Sequence, residues 1–129
     1  MSDDPEIKYT KSHEWVLMEN NDIAIIGITD YAQSQLGNVV FVDLPEEGDS
    51  FEMEEECAVV ESVKTAADIY SPFEGEVTEV NNKLSQDPSI INQDAFGLGW
   101  MFKIKISDSR GAQLMNKEKY EKFIESDDL

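Results

Sequence analysis

Lys64 sits between two short apolar runs, Cys57-Ala58-Val59-Val60 before it and Ala66-Ala67-Asp68-Ile69-Tyr70 after it. Both runs read as strands, which puts the lysine at the tip of a hairpin, pointed at solvent. A modifying enzyme can reach an amine there without unfolding anything, and a group attached to it sweeps widely. The chemistry implied is covalent carriage, with Lys64 as the attachment point of a swinging arm. Most exposed lysines are merely solvated. This one is set apart by small residues on both sides, strand-like flanks and a turn-bounded unit. A Schiff-base role would need burial to lower the usual amine pKa of about 10.4. The turn offers no apolar pocket in its sequence.

Other candidate chemistry is weaker. His13-Glu14 begins like a zinc-protease helix signature, but Leu17 stands where a second histidine is needed, and the chain has a single histidine. For the same reason a Ser-His-Asp or Cys-His arrangement would rest on His13 alone. His13 reads as structural, at the mouth of a strand. The acidic stretch Glu46, Glu47, Asp49, Glu52, Glu54, Glu55, Glu56 lacks the ligand spacing and glycine of a calcium loop and reads as a solvated, partner-facing rim. Gly97-Leu98-Gly99 follows no strand and opens no helix, so it is not a dinucleotide fingerprint. Trp15 and Trp100 read as core or cleft-wall residues. Cys57, the single cysteine, reads as a small buried hydrophobe. No catalytic residue and no metal site is expected.

The elements that position Lys64 are mostly short strands. A first hairpin spans His13 to Met18 and Ile23 to Ile28. A short helix follows, with Thr29 or Asp30 as N-cap, Gln33 completing a capping box with Asp30, and Gly37 as its stop. Further strands are expected over Asn38 to Leu44, weakly over Ser50 to Met53, in the lysine hairpin Cys57 to Tyr70, and over Glu76 to Val80. Asn81 to Gly99 reads as loop with one helical turn after Pro88. From Trp100 to Ile106 alternation puts Trp100, Phe102, Ile104 and Ile106 on one face and Met101, Lys103 and Lys105 on the other. The C-terminal segment, about 111–126, reads as helical, with Asn116 as a plausible N-cap and Tyr120, Phe123 and Ile124 as its apolar stripe. Pro-x-Glu-Gly occurs at Pro45–Gly48 and Pro72–Gly75, each read as a turn beside the lysine hairpin. The fold class is therefore mainly β, a flattened barrel or sandwich of two antiparallel sheets with short helices. All 129 residues fit one domain, with the barrel core at about 13–106.

Acids outnumber bases 28 to 10, for a formal charge of −18. Phosphate-rich partners are disfavoured, so neither nucleic acid nor an anionic membrane surface is expected. Partners with basic docking surfaces are favoured. The N-terminal residues Met1 to Glu6 have no apolar core and read as neither a signal nor a typical transit peptide. No apolar run approaches the ~20 residues of a membrane span. The expected compartment is the cytoplasm.

Several separated motifs carry a family resemblance. They are Tyr9-Thr10-Lys11-Ser12-His13-Glu14-Trp15, Gly27-Ile28-Thr29-Asp30, Leu36-Gly37, Phe41-Val42-Asp43-Leu44-Pro45, Ala58 to Asp68, Ser71-Pro72, Gly75-Glu76-Val77, Val80-Asn81 and Gly99-Trp100-Met101-Phe102-Lys103-Ile104. In this order, over nearly the whole length, they resemble the lipoyl-carrying H-protein family of the glycine cleavage system. Tyr31 departs from the pattern, since the family often carries histidine there; the departure touches a detail of the helix surface. The resemblance implies a lipoyl-domain-like flattened barrel and a lipoyl or octanoyl amide on Lys64, installed by a lipoate ligase or octanoyltransferase.

It further implies a non-catalytic, monomeric carrier. The arm would take the aminomethyl group of glycine from a pyridoxal-phosphate glycine decarboxylase to a tetrahydrofolate-dependent aminomethyltransferase. Dihydrolipoyl dehydrogenase would then reoxidise it. The loaded arm would shelter in a cleft formed by Ser12, Glu14 and Asp68, with Glu14 pairing the cargo amine. A biotin carrier prefers methionine on both sides of its lysine, whereas Val63 and Thr65 flank this one. An acyltransferase lipoyl domain fits less well, because the chain shows no linker or catalytic domain. An H-protein-like relay serving other lipoate-dependent complexes is the alternative function, and an acidic interaction module with unmodified Lys64 is a third.

Overall fold

The computed structural model describes residues 7–111 and 113–127. The acidic start read above, residues 1–6, lies outside the described residues. Among these, the strands form two antiparallel sheets that curl into a half-barrel, with short helices at its edges. The expected mainly β architecture is what the chain adopts. No helix among the described residues is long and apolar enough to cross a membrane.

The first hairpin is β2 (Glu14–Met18) with β3 (Ile23–Ile28). Asn20 closes its turn: its side-chain oxygen accepts from the N–H groups of Asp22 and Ile23 at 3.0 and 2.9 Å. Alternation sends Val16 into the main core and Trp15 to the opposite face. The same parity places Glu14 on the core side, beside its partner Ile28. The Trp15 ring lies over Gly27, its cross-strand partner; a Cβ there would meet indole atoms at 2.7 Å, so only glycine fits. A short strand, β1 (Lys8–Tyr9), pairs with β2. Two residues show no alternation, so the sequence reading missed it.

Thr29 is the N-cap of α1 (Asp30–Leu36), its hydroxyl accepting from Ala32 N–H at 3.1 Å. Gln33 donates to the Asp30 side chain at 3.0 Å, and its oxygen accepts from Asn92 instead of from a cap N–H, so the expected capping box does not form. Gly37 ends the helix with φ +82°, a conformation that glycine adopts without steric cost. Next come β4 (Val39–Asp43), β5 (Ser50–Phe51), β6 (Glu56–Ser62), β7 (Ala66–Tyr70) and β8 (Phe73–Val80). β8 starts earlier than expected. Gly75 therefore lies inside a strand, while Gly48 is in a turn, and the two Pro-x-Glu-Gly copies are not equivalent.

The stretch read as loop holds two helical turns, α2 (Lys83–Gln86) and α3 (Ile90–Gln93), the second after Pro88 as expected. They are short, with one buried anchor each, Leu84 and Ile91. β9 (Phe102–Gly111) begins two residues later than the alternation suggested and runs further. Phe102 and Ile104 enter the main core, with Ile106 packed against it. Before the strand the parity fails: Met101 is buried in the main core, and Trp100 turns to the second cluster. α4 covers Lys117–Asp127, capped by Asn116, whose side-chain oxygen accepts from Lys119 N–H at 2.9 Å. The helical segment expected from Gly111 thus starts six residues later. Gly111 still belongs to β9, and Met115 bridges to Tyr9.

The six-stranded sheet runs β1-β2-β3-β9-β8-β5, and the three-stranded sheet β4-β6-β7. The main core lies between them. A second cluster of Tyr9, Trp15, Met115 and Tyr120 packs α4 onto the outer face of the large sheet.

Candidate functional site

The tip between β6 and β7 is the turn Ser62–Thr65, with Val63 and Lys64 at its centre. Ser62 N–H donates to Thr65 O at 2.7 Å, and the Ser62 hydroxyl accepts from the N–H groups of Lys64 and Thr65, both at 3.1 Å. Positive φ among described non-glycine residues occurs at His13 and Glu54, not at the tip. The turn therefore dispenses with the Asn-Gly chemistry of most tight hairpins and uses a serine hydroxyl as its clasp. Val63 N–H donates to Asn38 O at 3.0 Å, which ties the tip to the start of β4.

Lys64 is exposed, and its stem passes over Gly37: a Cβ built there would come within 3.2 Å of Lys64 Cε. Asn92 holds that floor. Its amide donates to Gly37 O and Gln33 Oε1, both at 2.9 Å, and its oxygen accepts from Val39 N–H at 2.9 Å.

Next to this floor lies a cleft of about 420 Å³ between α1 and β7. Ile28, Leu36, Ala67 and Ile69 supply apolar walls; Ser12, His13, Tyr31 and Asp68 supply polar groups. Ser12 is also part of a second cavity of about 450 Å³, which Thr10, Glu14, Glu54 and Tyr70 help to line. The three residues expected to meet in one cleft are thus divided: Ser12 and Glu14 share one cavity, Ser12 and Asp68 the other. Asp68 is exposed, and its carboxylate holds that of nearby Glu56 above the usual carboxylate range by like-charge repulsion.

Glu14 is 1% exposed. Oε1 accepts from the hydroxyls of Thr10 and Ser12, both at 2.6 Å, and Oε2 accepts from Tyr70 N–H at 3.1 Å. Burial raises its carboxyl above the ordinary value, and hydrogen bonds from those three donors and from its own N–H oppose the rise. The loop before β2 builds this arrangement. His13 N–H donates to Thr10 O at 3.1 Å and Thr10 N–H to Glu14 O at 2.9 Å. The loop closes with His13 at φ 73°, a left-handed conformation that histidine tolerates better than most residues.

His13 is held from behind. Its Nδ1 and the Tyr120 hydroxyl are 2.8 Å apart, and the same hydroxyl lies 2.7 Å from Thr29 Oγ1. Burial pushes the Tyr120 phenol up to about 12. Tyr120 stacks on Tyr9 at 4.6 Å, which couples α4 to the loop carrying Ser12 and Glu14. The His13 ring also lies 5.1 Å from that of Tyr31, so Tyr31 belongs to the cleft as well as to the helix surface. Cys57 is buried as expected, its thiol 3.4 Å from Ile69 O and pushed far above the ordinary range by burial.

Sequence reasoning missed Thr10, Tyr120, Tyr31 and the Tyr70 N–H. Thr10 and Ser12 carried a faint signal, two hydroxyls within four residues of a strand-borne glutamate. Nothing local pointed to Tyr120, which lies 107 residues from His13.

Comparison with known proteins adds a separate line. The sequence model of the glycine cleavage H-protein family matches residues 7–127. The chain is 50% identical over 123 residues to the glycine cleavage system H protein of Pseudoalteromonas translucida, covering 95% of each chain. To that of Photorhabdus laumondii it is 47% identical over 124 residues, again covering 95% of each. The crystal structure of a glycine cleavage system H protein from Mycobacterium marinum superposes with a TM-score of 0.84 at 30% identity, over 98% of this chain and 99% of that one.

Proposed function

The chain belongs to the glycine cleavage H-protein family, and from that premise we propose that Lys64 bears lipoate as an amide and that the protein carries an aminomethyl group between enzymes. When bound, lipoate supplies a disulfide that opens to accept the one-carbon cargo and recloses on reoxidation. The partners in this reading are a pyridoxal-phosphate glycine decarboxylase, a tetrahydrofolate-dependent aminomethyltransferase and dihydrolipoyl dehydrogenase. The chain itself is a non-catalytic, monomeric carrier in the cytoplasm.

The residues fit such a group. Lys64 is exposed on a hydrogen-bonded turn, so acylation needs no unfolding. Ile28, Leu36, Ala67 and Ile69 suit an aliphatic chain lying in the adjoining cleft. Glu14 is the observation that carries the proposal: a buried carboxylate on the wall of a cavity. Held there by Thr10, Ser12 and Tyr70 N–H, it can take the ammonium end of a cargo through a charge-assisted hydrogen bond. Burial then shields the cargo from water, which would otherwise release ammonia and formaldehyde. Asp68 adds negative charge at the cleft mouth.

The test is Lys64→Arg. The exposed site tolerates arginine, so the fold stays intact. The variant should gain no lipoyl mass and support no glycine decarboxylation. A Lys64→Arg protein that still gains the adduct and turns over ends the proposal.

A further inference from the structure

Three exposed apolar side chains surround the lysine tip. Val40, Phe41 and Val63 are 54%, 50% and 65% exposed. Backbone pairing brings the three positions close together: Val39 pairs with Ser62, Phe41 pairs with Glu61, and Val63 N–H is bonded to Asn38 O. Val40 and Phe41 are neighbours, and a regular strand would turn one of them inward. The register shift between Val39 and Phe41 leaves both facing out. Neither belongs to the core clusters, so the fold does not explain them. β4 is also an edge strand of its sheet.

We propose that Val40, Phe41 and Val63 are the seat for the enzyme that acylates Lys64, and that this enzyme presents an apolar depression with a cationic rim. The inference rests on the carrier reading above. Amide formation takes place at Nζ itself. The amine attacks the carbonyl of an activated acyl donor, a C–N bond forms, the bond to the donor's leaving group breaks, and the amine loses a proton to a base. The catalyst must therefore close over the turn and the strand beside it. Enzymes acting on the far end of a long arm have no such need. The rim follows from charge: Asp43 and Glu61 flank the patch, both exposed, on a chain of formal charge −18. The same charge opposes a second copy of this chain as the occupant, since like-charged rims would meet.

The experiment uses the unmodified full chain, a lipoate ligase and its acyl adenylate, and measures acylation by intact mass. The double variant Val40→Ser/Phe41→Ser should keep the wild-type unfolding midpoint, because both side chains are exposed. Its KM should rise at least about tenfold, the loss expected for a central interface anchor, with kcat little changed. Leu98→Ser, which removes another exposed apolar side chain on a different loop, should behave as wild type. Unchanged acylation of the double variant overturns the proposal, as does an equal loss in Leu98→Ser. A double variant acylated normally but defective with glycine decarboxylase would assign the patch to another partner, which also overturns it. If the wild-type chain gains no acyl mass at Lys64, the carrier reading fails, and this inference with it.

Discussion

If Glu14 holds the cargo amine, loading the arm must stabilise the fold, and the gain must depend on that carboxylate. In the unloaded protein Glu14 is buried and its carboxyl is raised from the ordinary 4.5. The sign follows from proton uptake. From about pH 4.5 up to the raised value, the folded state holds more protons than the unfolded one, so stability falls as pH rises through that window. Above it, ionised Glu14 is a standing cost. An ammonium docked on the carboxylate removes part of that cost. A hydrogen bond between charged groups contributes roughly 1.5–3 kcal/mol, of which desolvation of the amine takes a share, leaving about 1.5 kcal/mol.

Urea unfolding at 25 °C, followed by tryptophan fluorescence, avoids heating the labile cargo. With a slope of roughly 1.5 kcal/mol/M, loading should raise the midpoint by about 1 M. The rise should be largest above the raised Glu14 value and shrink as pH falls through the Glu14 window. In Glu14→Gln the pH-dependent loss and the loading effect should both disappear, and ammonia release from the loaded arm should quicken without partner enzymes. An equal midpoint rise in Glu14→Gln, or none in the wild type, would refute the pairing.

Two further outcomes are expected. Tyr120→Phe removes the hydroxyl that bonds to His13 and Thr29, so urea unfolding should show a loss of about 1–3 kcal/mol, and the loaded arm should lose ammonia faster because the Ser12–Glu14 loop is less firmly held; unchanged stability would remove Tyr120 from the device. Raising salt until the Debye length falls from about 10 Å to 3 Å should raise the carrier's apparent KM with its partner enzymes, and a flat response would remove charge steering from the account.

The lysine hairpin was legible because everything that makes it is local: two short apolar runs, a Ser62 hydroxyl in the turn, and small residues after Lys64. The helix at Thr29–Gly37 was legible for the same reason. The cleft was not, since its walls come from segments far apart in the chain. The start of α4 was misplaced because Met115, apolar and four residues past Gly111, looks like helix but is used in a bridge to Tyr9. Glu14 was identified through the family resemblance, not through its burial. Yet its burial was readable: it shares parity with Val16, and that face of β2 is the core face. A charged residue at the end of a strand is usually solvated, and that expectation hid the signal.

Departures from ordinary folding rules then mark the functional surface without reference to any relative. A buried carboxyl group and a left-handed non-glycine backbone each cost free energy, and such costs persist where something other than stability maintains them. Glu14 bears the first cost. His13 and Glu54 bear the second, and they are the non-glycine residues with positive φ among those described. His13 lines the cleft beside Lys64, and Glu54 lines the cavity of Glu14. Val40 and Phe41 add exposed apolar area next to the lysine turn. Elsewhere the rules hold: Thr29 and Asn116 cap their helices, Asn20 closes its turn, and β8 alternates as its sequence directs. The exceptions gather around one exposed lysine and the cavities beside it, which is where a carrier would have to hold a reactive cargo and admit the enzyme that attaches its arm.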